Sequence, residues 1–146
     1  MARQIPLAQR RMARQLVMQA LYQWLMSGSD PSEINQQFHE DNGKRVDWEY
    51  FDALFPEITK RRESLMSELE THLDRKAEAL DPVEQAILLL GTFELSERID
   101  VPYRVVINEC VELAKSYGAT DSHKYINGVL DKLVPALRAA EHGQRS

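Results

Sequence analysis

Between Asp81 and Arg98 the chain reads DPVEQAILLLGTFELSER, and its AILLL core leaves no polar side on which a helix could meet water. Asp81 supplies a capping carboxylate, Pro82 stands at the first helical position, and Glu84 follows three residues after the cap, a capping-box-like arrangement. A helix that is apolar nearly all round must be enclosed. The run falls short of a membrane span, so other helices of the same chain have to surround it.

The rest of the sequence provides them, with almost no strand pattern. In AQRRMARQLVMQALYQWLM, the residues Ala13, Leu16, Val17, Ala20, Leu21 and Trp24 form one apolar face, and the helix stops at SGSD. Asp30 then caps PSEINQQFHE with Pro31 at its first position, and DNGKRVD is a turn centred on Asn42 and Gly43. From Asp47 the series Trp48, Phe51, Phe55, Ile58, Leu65, Leu69 keeps helical spacing, interrupted at Arg62, and Pro56 is expected to kink or split it. In DVPYRVVINECVELAKSYG the residues Val106, Cys110, Leu113 and Tyr117 share a face, and Gly118 is expected as a left-handed cap. A last helix runs from Asp121 to about Arg138, bent or frayed near Pro135, and residues 141–146 read as a loose tail.

The expected fold is therefore all-α: a single domain of about six or seven helices in two packed bundles. Their division is placed near DRKAEALDP, with an N-terminal lobe of about residues 1–74 and a C-terminal lobe of about 81–140, sharing one interface.

Several function classes lose support. One cysteine, Cys110, cannot form an internal disulfide, and no paired Cys/His spacing suggests a metal. The opening residues lack the apolar run of a signal peptide, so a reducing cytoplasm is expected and no membrane partner. No Gly-rich phosphate loop or G-x-S-x-G element appears, and no cofactor motif. Asp121, Ser122 and His123 are adjacent, which on a helix start points them in different directions; Glu109 and Glu112 read as a solvated edge. No catalytic residue is assigned and the chain is not expected to be an enzyme.

Charge patterning is more informative. Of 18 basic residues, Arg3, Arg10, Arg11 and Arg14 precede Ser29, whereas all 23 acidic residues follow it. A basic end on an acidic body suggests two partners of opposite sign. On a wheel of about 100° per residue, Arg10, Arg11, Arg14, Met18 and Tyr22 fall within about 120° of one another beside the apolar face. Arginine offers forked donors to phosphate and tyrosine a flat face to an unpaired base. The bland alternative is that the arginines solvate a terminal helix and Tyr22 is a boundary residue. In DSHKYINGVLDKL, Tyr125 points about 100° away from the stripe of Ile126, Leu130, Leu133 and Leu137, beside Lys124.

The elements RRMARQLVMQALYQW, DVPY, INE, ELAKSYGA, DSHK and NGVLDK, in this order and at tight spacing, resemble the NusB family of bacterial transcription antitermination factors over nearly the whole chain. The resemblance implies an all-α fold of two helical bundles, binding of the boxA element of nascent ribosomal RNA, and pairing with NusE, a small-subunit ribosomal protein, within the RNA polymerase antitermination complex. Residue by residue it implies RNA contacts at Arg10, Arg11, Arg14, Tyr22, Asp121, Lys124 and Tyr125, with Tyr103 and Arg104 at the rim. Met12 stands where the family can carry a further arginine, so the cluster is thinner here. Glu78 and Glu84 are the positions carried over for NusE. Two alternatives stay open: a helical protein-interaction scaffold without RNA specificity, and an RNA-binding module like that fused to some ribosomal RNA methyltransferases.

Overall fold

The computed structural model describes residues 4–143, with side chains described for 4–141. Among the described residues there are eight α-helices, a single 3-10 turn and no strand. Contacts group the chain into two compact units, residues 1–60 and 61–146.

The first unit holds α1 (Leu7–Ser27), α2 (Pro31–Asp41) and α3 (Trp48–Lys60). Gly28, at φ 68°, ends α1 in the left-handed region that glycine tolerates, and its N–H donates to Trp24 O. Asp30 caps α2 as its type predicts, accepting from Ser32 N. The core joins Leu16, Val17, Ala20 and Leu21 to Ile34 and to Tyr50, Phe51, Leu54, Phe55 and Ile58. Phe51 sits among Trp48 and Phe55, with ring centroids 5.2 and 5.7 Å away. Pro56 lies inside α3 instead of breaking it; Arg61 (φ −106°, ψ 18°) makes the break. Core packing of Phe55 and Ile58 on either side carries the helix past the proline.

The second unit holds α4 (Arg62–Glu70), the 3-10 turn Ala77–Ala79, α5 (Pro82–Glu97), α6 (Tyr103–Tyr117), α7 (Ser122–Leu137) and α8 (Ala139–Gly143). α5 is enclosed as its composition demands: every residue from Ala86 to Leu95 is buried, and α4, α6 and α7 pack against it. Its large apolar side chains each contribute roughly 1.5–3 kcal/mol by burial. Gly91 marks where the neighbours come nearest, since a Cβ there would lie 2.9 Å from Leu130 and 3.1 Å from Cys110 Sγ. The boundary between units precedes the Asp74–Pro82 stretch because Leu65, Met66 and Leu69 bury α4 with the later helices.

Three local expectations need correcting. Gly118 is extended (φ −87°, ψ 172°), and the left-handed position belongs to Asp121 at φ 70°. The glycine is required by space instead, because a Cβ would come within 2.8 Å of Ala114 O and 3.0 Å of Ser122 Cβ. Tyr117, read as part of α6's apolar face, is 41% exposed; Tyr103, Val106, Ile107, Cys110 and Ala114 form the buried side. Finally, α7 continues through Pro135 to Leu137 and the tail is partly anchored. Arg138, 2% exposed at its side chain, donates to Leu95 O, Glu94 O and Arg98 O at 2.7, 3.1 and 2.8 Å and to Glu141 Oε1 at 2.6 Å. Glu141 Oε2 accepts from Tyr103 N. Residues 144–146 of the expected loose tail lie outside the described residues, as does Arg3.

Candidate nucleic-acid interface

The arginine row of α1 divides by burial. Arg10 Nε donates to Asp47 Oδ2 at 2.8 Å, and its guanidinium carbon lies 3.9 Å from the centre of the Tyr50 ring. Asp47 is itself 4% exposed and its other oxygen accepts from Tyr50 N, capping α3. Arg14, 3% exposed, lies over the same ring at 5.4 Å. Arg10 and Arg14 therefore tie α1 to α3, and Met18, read beside them, is buried too. Arg14 has no surface to offer a phosphate. Arg11 is exposed and Tyr22 is 40% exposed, so these two keep the surface positions that the wheel assigned them.

In the second unit the tight turn at Gly118 delivers residues 119–122 to the start of α7. Asp121 takes the left-handed conformation, which a short polar side chain tolerates better than most. Its side chain makes no cap bond; its carbonyl accepts from Lys124 N and Tyr125 N. Lys124 Nζ lies 3.4 Å from Asp121 Oδ1, and both side chains are exposed. Ser122 is buried and its Oγ donates to Glu84 Oε2 at 3.1 Å. That hydroxyl is a strut between α7 and α5 and not a nucleophile.

These residues frame a cleft of about 380 Å³ lined by Arg75, Asp81, Glu84, Thr120, Asp121 and Tyr125, among others. Tyr125 is half-buried, and the Arg75 guanidinium covers one face of its ring at 4.1 Å. Arg75 Nε in turn donates to Asp74 Oδ1 at 2.8 Å. The Tyr125 hydroxyl is enclosed, with the Asp74 carboxylate beside it. Burial first, and then the charge of Asp74, push its phenol above the usual tyrosine range, although Arg75 pulls the other way. The hydrogen bond from Arg75 holds the Asp74 carboxyl below the usual carboxylate range.

Several residues assigned from sequence are displaced from the surface. Tyr103 is 3% exposed and cannot be a rim contact, because it forms part of the buried side of α6; its neighbour Arg104 is exposed. Glu84 is 6% exposed, and its carboxylate, bonded by Ser122, lines the cleft instead of standing on the open surface. Glu78 is exposed on the 3-10 turn. Sequence reasoning missed Arg75 and Asp74 altogether. An Asp-Arg pair in a polar connection carries no pattern of its own, and only the fold brings it to Tyr125.

Among the described residues no helix is long and apolar enough to cross a membrane, and no group of His, Cys, Asp and Glu could hold a metal ion. The family model of the NusB family matches residues 11–135. A transcription antitermination protein NusB from Pseudomonas savastanoi pv. phaseolicola is 55% identical, covering 92% of this chain and 82% of that protein. Another, from Alcanivorax borkumensis, is 54% identical over 93% of this chain and 91% of its own length. Among solved structures, a crystal structure of the antitermination factors NusB and NusE in complex with dsRNA contains a chain 30% identical to this one, with a TM-score of 0.80, covering 90% of this chain and 99% of that one.

Proposed function

The chain belongs to the NusB family, and on that premise we propose that it is an RNA-binding transcription antitermination protein that acts with NusE on the boxA element of nascent ribosomal RNA. It works in the cytoplasm and does no covalent chemistry. The observation that carries the reading is 55% identity, over 92% of the chain, to a transcription antitermination protein.

The geometry supports a division of labour. Arg11, Lys124 and Arg104 are the exposed cations among the assigned positions and take phosphates. Tyr22 and the cleft beside Tyr125 receive bases, because flat, half-exposed groups suit the unstacked bases of a single strand. The related complex holds dsRNA, so single- and double-stranded probes should be compared directly. Glu78 faces NusE, where an acidic surface complements a basic ribosomal protein. Glu84 serves that surface indirectly by holding Ser122.

The burial of Arg14 and the engagement of Arg10 by Asp47 favour one rival, a protein-only scaffold whose arginines are structural. Filter binding with boxA RNA and a scrambled control, each with and without NusE, separates the two. The RNA reading expects boxA preference by the chain alone, strengthened by NusE. A scaffold would bind NusE equally well whichever RNA is present, and that outcome would overturn the reading. Glu78→Lys should weaken NusE binding and leave RNA binding by the isolated chain intact.

A further inference from the structure

The cleft beside α7 contains an aromatic ring that is already occupied. With the Arg75 guanidinium carbon 4.1 Å from the centre of the Tyr125 ring, the cation sits over one face of the ring and leaves no room for a base between them. The hydroxyl end of Tyr125 is enclosed. The ring therefore offers a base little of its own surface. The group that does face outward is Arg75, 41% exposed at its side chain.

We propose that a nucleobase is received on the outer face of the Arg75 guanidinium, a platform whose lower layer is the Tyr125 ring and whose orientation is set by Asp74. The proposal rests on the RNA-binding reading and names one of its contacts. A guanidinium is planar and weakly hydrated, so bases stack on it as they do on aromatic rings. Left alone it would turn edge-on toward phosphates. Here the ring fixes its plane by cation–π attraction, and the 2.8 Å bond to Asp74 occupies the Nε donor and offsets its charge. The surroundings also disfavour a phosphate. Asp74, Asp81, Glu84 and Asp121 place four carboxylates at or beside the cleft, which repel an anion and tolerate a neutral base whose amino groups point outward from its edge. Stacking follows contact area, so purines should be held better than pyrimidines.

Three variants of the full chain test this against a short single-stranded boxA RNA in which a fluorescent purine analogue is walked from position to position, with circular dichroism confirming each fold. Arg75→Lys keeps the charge and loses the plane. It should lower affinity at least about fivefold and abolish the stacking-dependent quenching at one position, with the slope of affinity against salt unchanged. Tyr125→Leu should lower affinity comparably, and the double variant should lose little more than either single one, because both remove the same platform. Asp74→Asn should weaken binding by releasing the guanidinium. If Arg75→Lys binds within twofold of the native chain, Arg75 is a phosphate ligand and the proposal fails. If Arg75→Ala binds as well as the native chain or better, the uncovered ring is the true platform and the proposal fails as well. Absence of boxA binding by the native chain would remove the RNA reading itself, an outcome distinct from native binding that these variants leave unchanged.

Discussion

Replacing Arg138 by alanine should be among the most damaging substitutions in the second unit, although the residue lies near the end of the chain. One guanidinium, 2% exposed, donates to three backbone carbonyls at the end of α5 and to Glu141. Hydrogen bonds from a charged donor are worth about 1.5–3 kcal/mol each, which naively sums to roughly 6–12 kcal/mol. Burying the guanidinium cancels several kcal/mol of that. Glu94 O also accepts from Arg98 N, so it is not orphaned when the arginine goes. The net loss should be about 3–5 kcal/mol, the usual cost of breaking a buried ion pair, or roughly 10 °C in Tm for a chain of this length. The assay is urea unfolding followed by far-UV circular dichroism. Both tryptophans, Trp24 and Trp48, belong to the first unit, so their fluorescence would miss the change. Arg138→Lys keeps the charge but has no fork, and should recover less than half of the loss. A cost below about 1 kcal/mol for the alanine variant would show that water rehydrates the three carbonyls and that the clasp adds nothing.

Three further outcomes follow from the same structure. Arg11→Ala should make the plot of log affinity for single-stranded RNA against log salt shallower by about 0.7, whereas Arg14→Ala should leave that slope alone and cost about 2 kcal/mol of stability; the opposite pattern in filter binding and urea melts would exchange their roles. Gly118→Ala should destabilise by about 1–3 kcal/mol, because the Cβ would meet the fixed Ala114 carbonyl, and it should also weaken RNA binding; an unaffected melt would mean that the turn yields. Folding raises the pKa of the Tyr125 phenol, so its contribution to stability is complete below its unfolded value near 10 and is lost as the pH climbs through the higher folded value. A difference absorbance titration between the native chain and Tyr125→Phe should place this phenol above the usual value, and a component at or below 10 would contradict the burial seen here.

Much of the fold was legible because it rests on local rules. Asp30 and Asp81 cap the helices they precede, α1 stops within SGSD, and the apolar run of α5 had to be enclosed. Gly118 misled for an equally local reason. Type alone assigns the left-handed position to the glycine, but the turn needs the small residue where space is tight and tolerates an aspartate where φ is positive.

The site was less legible because a helical wheel assigns a charged residue to water by its type, and type does not fix exposure once a partner arrives from elsewhere in the chain. Arg10 and Asp47 are 37 positions apart, Glu84 and Ser122 are 38, and the longest of the Arg138 bonds in sequence spans 44. Each pairing withdraws an ion from the surface and fixes one helix against another. Tyr125 shows the same effect from the other side. The wheel correctly turned it away from the stripe of α7, yet Arg75 covers the ring that was thereby exposed. Positions carried over by resemblance consequently mix two kinds of residue. Arg11, Lys124 and Asp121 are exposed, whereas Arg14, Tyr103 and Glu84 are buried within their units. Substituting the first kind should change salt dependence or specificity at constant stability, while substituting the second should change stability first and affinity only in proportion, so a melt and a salt titration on the same variant assign each residue without a structure of the complex.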